Sequence, residues 1–362
     1  MADEIAALES GRNLKEVIRY ALGVAVGILV LVLLFGRRGE LVAAWRQLSH
    51  VSPGWVAGAA AAEAGSLWMF AFLQRTVLDL AGARIAMPGL FLLTLANDAI
   101  SNTVPGEPAV SAAFRYRYYR RFGADGASAG WTIFTMLIAQ AIGMSLLLLL
   151  GVLIAIADGP AGGNTRAAIA GLVIVVAAGA VLVRRDLVLR LVEAAVNGVR
   201  RITGHPRGSI GARITSTLAR MREIPLSRPA TVWVVVLAAG VWCCDFGCLL
   251  CAFGAVHAAI PWAGVLLAYC VSEIAASLPI VPGGIGVVEG SLAVILTAYG
   301  ADRTSALSAA LVFRGVSFWL AITIGWVSVG VIVRHGRKLN AASRELRRDV
   351  LLMPGREVGK SL

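Results

Sequence analysis

Apolar residues arrive in long blocks along this chain, with polar residues confined to short intervals between them. Full-length runs lie near 17–35, 52–74, 128–156, 166–183, 229–254 and 304–333, each ended by Arg, Gly, Pro or a charged turn. A helix needs about 20 apolar residues to cross roughly 30 Å of hydrocarbon, so the pattern predicts six full crossings. Two further apolar stretches, about 85–121 and 262–299, are broken in the middle. The breaks read Asn102-Thr103-Val104-Pro105-Gly106-Glu107 and Leu278-Pro279-Ile280-Val281-Pro282-Gly283-Gly284-Ile285-Gly286. Proline and glycine at this density stop a helix. Non-helical backbone at membrane depth persists only where protein buries it or water lines it. The expected architecture is an all-α membrane protein, a polytopic helix bundle with two Pro/Gly-broken re-entrant hairpins.

The two broken stretches are related. An offset of 177 residues lays Val104-Pro105-Gly106 on Val281-Pro282-Gly283, Gly123-Ala124-Asp125 on Gly300-Ala301-Asp302, and Ser128-Ala129 on Ser305-Ala306, without a gap. Nine of the 26 positions in 104–129 are identical at this offset, most of them small residues, which suggests a duplication. Charge placement then bears on topology. Arg115, Arg117, Arg120 and Arg121, like the basic segment 184–228, belong on the cytoplasmic side by the positive-inside rule, while the charge-poor turns near Asp158 and His257 face outward. Asp125 and Asp302 then fall on opposite sides, as an inverted repeat requires, and transporters of that kind bind substrate where broken helices meet near mid-membrane. The Arg37–Arg46 loop falls outside on this scheme despite three arginines; Leu41, Val42, Trp45 and Leu48 would let it lie as an interfacial helix. The organisation expected is a cytoplasmic segment 1–16, a membrane domain 17–333 with repeat halves at about 52–183 and 229–333, a basic cytoplasmic linker 184–228, and a basic cytoplasmic tail 334–362.

Composition supports the membrane reading: of 362 residues 58% are hydrophobic and 15% charged, with mean hydropathy +0.78. A net charge of +12 raises the question of nucleic acid, but ten arginines fall in 184–228 and eight Lys or Arg follow Val333. Positive-inside bias accounts for that placement, and no nucleic-acid partner is expected. The run 17–35 is preceded by acidic residues and followed by Gly36-Arg37-Arg38 rather than a cleavage site, so it is expected to be a retained helix. Residues 187–202 read as an amphipathic helix on anionic lipid or as a solvated basic linker. Cys244, Cys248 and Cys251 share a helix face with no His among them, and serve as small packing residues; no metal or other cofactor is expected.

Ionisable residues inside apolar runs are costly and by default functional, at about 2.5–3.5 kcal/mol or more each at mid-depth. Here they are Glu63, Asp98, Glu107, Asp245, Glu273 and Glu289, against Arg314 as the embedded cation. Glu289 and Arg314 are either a structural ion pair or part of a substrate site. Glu107 is either a ligand or a carboxylate in the positive first turn of a half-helix. Glu63 is either functional or a protonated side chain bonded to a neighbouring helix, and Asp98 and Asp245 share that coupling-or-structural reading. Arg115 and Arg117 are interface anchors or phosphate contacts. His50, His205, His257 and His335 have no assigned role.

The segment from Ser277 to Gly290, with Pro279, Pro282-Gly283-Gly284, Gly286 and Glu289, followed by Tyr299-Gly300-Ala301-Asp302 and Phe313-Arg314, resembles the signature of the lysylphosphatidylglycerol synthase transmembrane-region family, also called flippase-like membrane proteins. Asn102 to Gly106 with Phe114-Arg115-Tyr116-Arg117 is similar to that family's first-half pattern, and Asp245 falls on an acidic position often found there after an aromatic residue. The resemblance spans roughly 15–335. It implies a bacterial-type cytoplasmic membrane, membrane lipids as partners, and lipid flipping in place of catalysis. The family's best-known members flip an aminoacylated phospholipid made by an attached synthase domain; the longest non-apolar stretch here, 184–228, leaves no room for one, so a separate lipid-modifying synthase is the expected supplier.

The expected site comprises Asn102, Pro105, Gly106, Glu107, Arg115, Arg117, Glu273, Pro282, Gly283, Gly284, Gly286, Glu289 and Arg314. Half-helices beginning after Pro105-Gly106 and after Pro282-Gly283-Gly284 would present free N–H groups to a lipid phosphate. A small-solute or ion transporter would use the same hairpins, and a non-transporting partner of an envelope lipid or glycan synthase is a further class. An intramembrane enzyme is disfavoured by the absence of His-Glu-x-x-His, Gly-x-Ser-x-Gly and paired-Asp metal motifs.

Overall fold

In the computed structural model, residues 51–104, 107–158, 227–277 and 282–334 are described, and every described element is helical. The expected spans 17–35 and 166–183, the linker 184–228 up to its last two residues, and both termini lie outside these residues.

Four helices are long and apolar enough to cross a membrane: α1 (Pro53–Leu80), α4 (Gly126–Asp158), α5 (Arg228–Ala255) and α8 (Arg303–Arg334). At 1.5 Å per residue even the 28-residue members reach about 42 Å, beyond the hydrocarbon thickness. Between them lie α2 (Met87–Thr103), α3 (Glu107–Arg121), α6 (Val265–Ala276) and α7 (Val287–Ala298). α6 and α7 have 12 residues each, about 18 Å, so neither crosses alone.

Local chemistry accounts for the boundaries. Ser52 and Ser227 precede Pro53 and Pro229, and proline's fixed φ suits the first helical turn. α2 stops at Thr103 because Val104 must be extended ahead of Pro105, with φ −96° and ψ 124°. α7 begins at Val287, later than the Pro-Gly-Gly motif suggests. Pro282–Gly284 forms a short turn, and Gly283, Gly284 and Gly286 have φ of 63°, 62° and 82°, which a right-handed α-helix does not accommodate.

The offset of 177 residues reappears in the helices. α3 ends at Arg121 and α7 at Ala298; α4 starts at Gly126 and α8 at Arg303. The intervening turns carry the same bonds. Ala124 N–H donates to Tyr119 O at 3.0 Å, and Ala301 N–H to Leu296 O at 3.0 Å. Asp125 Oδ1 caps Ser128 N–H at 2.8 Å, and Asp302 Oδ2 caps Ser305 N–H at 3.0 Å. Gly123 and Gly300 supply the positive φ of each turn.

The central seam is formed by α1 and α5, and small residues let the two backbones approach. A β-carbon on Gly58 would lie 3.5 Å from Cys251 Sγ, one on Gly247 3.8 Å from Ala62 Cβ, and one on Gly65 3.9 Å from Cys244 Sγ. Ser52 N–H reaches Ala255 O at 3.0 Å and the Ser66 hydroxyl reaches Val241 O at 3.1 Å. Numbers rise along α1 as they fall along α5, so these helices, equivalent at the 177-residue offset, run antiparallel. Cys244 and Cys251 act as packing atoms in this seam. α4 packs on α5, where Gly143 meets the Ala238 backbone, and on α6, where Gly151 meets Leu266 and Leu267. A buried cluster centred on Leu249, Phe253, Tyr269, Leu292 and Phe313 joins α5 to α6, α7 and α8.

Candidate polar site between the two helix breaks

The best-defined part of the site is the second break. The Arg314 side chain, on α8, donates from Nε to Glu289 Oε1 at 3.1 Å and from Nη2 to Gly283 O at 2.6 Å. Its guanidinium carbon stands 3.8 Å from the centroid of the Phe318 ring. Glu289, in the first turn of α7, accepts the Gly286 N–H on Oε2 at 2.6 Å. One cation therefore holds the carbonyl side of the glycine turn and the carboxylate that caps the following helix. The side chains of Arg314 and Glu289 are only 8% and 13% exposed, so this is a charge pair withdrawn from solvent and stabilised by extra hydrogen bonds. Immediately after Arg314, α8 passes through a π-turn at Gly315–Leu320, which places Phe318 beside the guanidinium.

The first break meets the second. A β-carbon on Gly283 would lie 2.9 Å from the Asn102 carbonyl and would overlap the Phe318 ring, so only glycine permits this approach. Asn102 turns its Nδ2 back to Asp98, reaching O at 3.0 Å and Oδ1 at 3.1 Å. Pro105 and Gly106 lie outside the described residues. Glu107 begins α3, as the Pro-Gly pair implied. Gly284 is buried against Ala276 and Val288, and Pro282 opens the short turn.

Around this junction four further embedded carboxyls gather. Asp98 from α2, Asp245 from α5 and Glu273 from α6 lie within electrostatic range of one another and of Arg314. Glu63 from α1 faces Asp245 at hydrogen-bonding range and also senses Asp98 and Glu273. All four are half-buried. Asp98 Oδ2 and Glu63 Oε2 are buried without a hydrogen-bond partner among the described residues. Glu63, Asp98, Asp245, Glu273, Glu289 and Arg314, spread over more than 250 positions, thus form one neighbourhood. Arg115 is also drawn in: half-buried on α3, it packs over Phe70 at 5.3 Å and acts on Asp98. Arg117 is exposed.

Three participants were not anticipated. The Tyr269 hydroxyl donates to Asp245 Oδ2 at 2.5 Å. Phe318 stacks under Arg314. Gln74 ties α1 to α2 and α3 by donating to Thr94 Oγ1 at 2.7 Å and accepting from the Tyr119 hydroxyl at 2.8 Å. The first two stand four residues from a recognised charge, Tyr269 before Glu273 and Phe318 after Arg314, and that i,i+4 spacing was the available signal.

The family model for the lysylphosphatidylglycerol synthase transmembrane region matches residues 20–325. The chain belongs to that family. It is also similar to UPF0104 membrane protein PH1989 of Pyrococcus horikoshii, 33% identical over 79 residues, a match covering 22% of each chain. What the family model describes is the membrane region of the synthases rather than their catalytic domain. Within this family the chain is a multi-helix membrane protein whose polar residues concentrate where its two breaks touch.

Proposed function

We propose that this protein translocates a lipid head group between the leaflets of a bacterial-type cytoplasmic membrane. The observation that carries the reading is the meeting of the two breaks, Asn102 against Gly283, with charged side chains from α1, α2, α3, α5, α6, α7 and α8 arranged around them. Charged groups at membrane depth are expensive unless they serve a polar passenger. The antiparallel run of the equivalent helices α1 and α5 supports an inverted repeat, the arrangement in which substrate sits at the junction of broken helices and the two halves alternate around it. Acyl chains would remain in the bilayer while the head group crossed along the polar junction, which removes the desolvation cost of unassisted flipping. The guanidinium of Arg115 suits a phosphate, and the carboxyls suit an amine or a proton.

The test is reconstitution in liposomes with head-group-labelled phospholipids, following their accessibility to a membrane-impermeant quencher. Acceleration by wild type, reduced at least tenfold in folded Asp98→Asn and Glu273→Gln variants, is the expected result. If anionic, zwitterionic and aminoacylated lipids all fail to move, lipid translocation is wrong; uptake of a soluble amine or anion by the same vesicles would then make the protein a solute transporter.

A further inference from the structure

The α1–α5 seam contains one feature to which the lipid reading gives no separate role. Residues 57–65 of α1 are Ala or Gly except for Glu63, and the helices are close enough there for single β-carbons to fill the gap. Glu63 and Asp245 come within interaction range of each other across this seam. Ionised carboxylates only accept hydrogen bonds, so a bond between two of them requires a proton on one. Asp245 already accepts the Tyr269 hydroxyl on Oδ2 at 2.5 Å. Glu63 Oε2 has under 1 Å² of accessible surface and no partner among the described residues.

Among the described residues, the charged groups that act on Glu63 are acidic. Asp98 on α2, Glu273 on α6 and Cys248 on α5 are the groups that act on it besides Asp245. Asp245 additionally faces Cys244, Tyr269 and Arg314, but Arg314 is bonded to Glu289 and Gly283. Arg115 of α3 acts on Asp98, and α4, packed against α5, brings no ionisable residue before its terminal Asp158.

We infer that Glu63 and Asp245, oriented by Tyr269, bind one shared proton, and that its uptake and release accompany translocation of the substrate. The inference rests on the transport reading above. Loading adds one proton to a carboxylate oxygen and forms an O–H···O bond across the seam; the pair changes from two negative charges to one. Release returns that proton to water on the other side, and no other bond forms or breaks. The change of charge alters the attraction between α1 and α5, the two helices that would have to shift if the halves rock against each other.

Two measurements test this. The infrared C=O band of a protonated carboxyl in the reconstituted protein should lose one component in Glu63→Gln and the same component in Asp245→Asn, because the pair holds one proton. Persistence of the full band in both variants would overturn the shared site. In vesicles carrying labelled lipid outside and a pH dye inside, clamped at zero membrane potential, a pH gradient should change the wild-type translocation rate by up to about tenfold per pH unit, with proton movement in step. Both responses should be lost in the two variants, whatever rate remains, and retained in Tyr269→Phe with a displaced pH midpoint. Lipid movement indifferent to the gradient would sink the proton site and leave the lipid reading standing. Proton movement dependent on Glu63 without any lipid movement would do the reverse, and the absence of both would remove both.

Discussion

Arg314 satisfies three partners at once: a carboxylate, a backbone carbonyl and an aromatic face. That combination depends on a planar, always-charged fork, which lysine lacks. Removing one member of a buried pair leaves the other charge uncompensated, so Arg314→Ala is expected to cost about 3–5 kcal/mol. Arg314→Lys should recover part of this by keeping the charge, and Glu289→Gln should cost less than Arg314→Ala because the amide oxygen still accepts from Gly286 N–H. Reversible unfolding in detergent micelles would measure the series; Arg314→Ala with wild-type stability would mean the second break is held by packing alone. Most of these residues were legible as candidates, because a charge inside an apolar run stands out. Their pairing was not, since nothing in the run around Asp245 names Glu63, far along the chain, as its partner.

Glycine separates helix contacts into two classes at the next scale. At Gly143 a β-carbon would approach the Ala238 carbonyl carbon and Ala239 nitrogen to 2.9 Å, and backbone has no rotamer with which to yield. Gly143→Ala should force α4 away from α5 and destabilise by about 1–3 kcal/mol. Gly290→Ala on α7 meets nothing within 4 Å and should be neutral within about 0.5 kcal/mol or slightly stabilising through helix propensity. Equal effects at the two positions, measured by the same unfolding assay, would contradict the α4–α5 packing. Both glycines look alike in sequence, each within an apolar run. By contrast the Gly-Ala-Asp turns were readable, because their causes are local. The late start of α7 was not legible because the positive φ of Gly283, Gly284 and Gly286 only emerges once the turn is folded.

Relative direction of the halves belongs to the molecule as a whole. With α1 and α5 antiparallel, Gly58→Cys lies opposite the native Cys251, and Gly65→Cys opposite Cys244. Oxidation should join the two fragments left after cutting at a protease site placed within 184–228, and for each variant the bridge should vanish when its facing cysteine is replaced by Ala. Gly58→Cys bridging to Cys244 instead, or no bridge in either variant, would refute the antiparallel seam.

Amino-acid order alone determined that the chain is a helical membrane protein, where its helices break, and which side chains are out of place in hydrocarbon. These follow from length, hydropathy and backbone chemistry, all of which act within a turn or two of the chain. It also carries short identical segments 177 residues apart at the motifs that cap and turn the helices. Only the tertiary structure decided that the two breaks touch, that Arg314 closes on Gly283 and Glu289, and that Glu63 meets Asp245 in the seam. Those contacts depend on how helices distant in sequence cross, and crossing is set by the fit of many small side chains over a whole interface, for which a single chain carries no local mark.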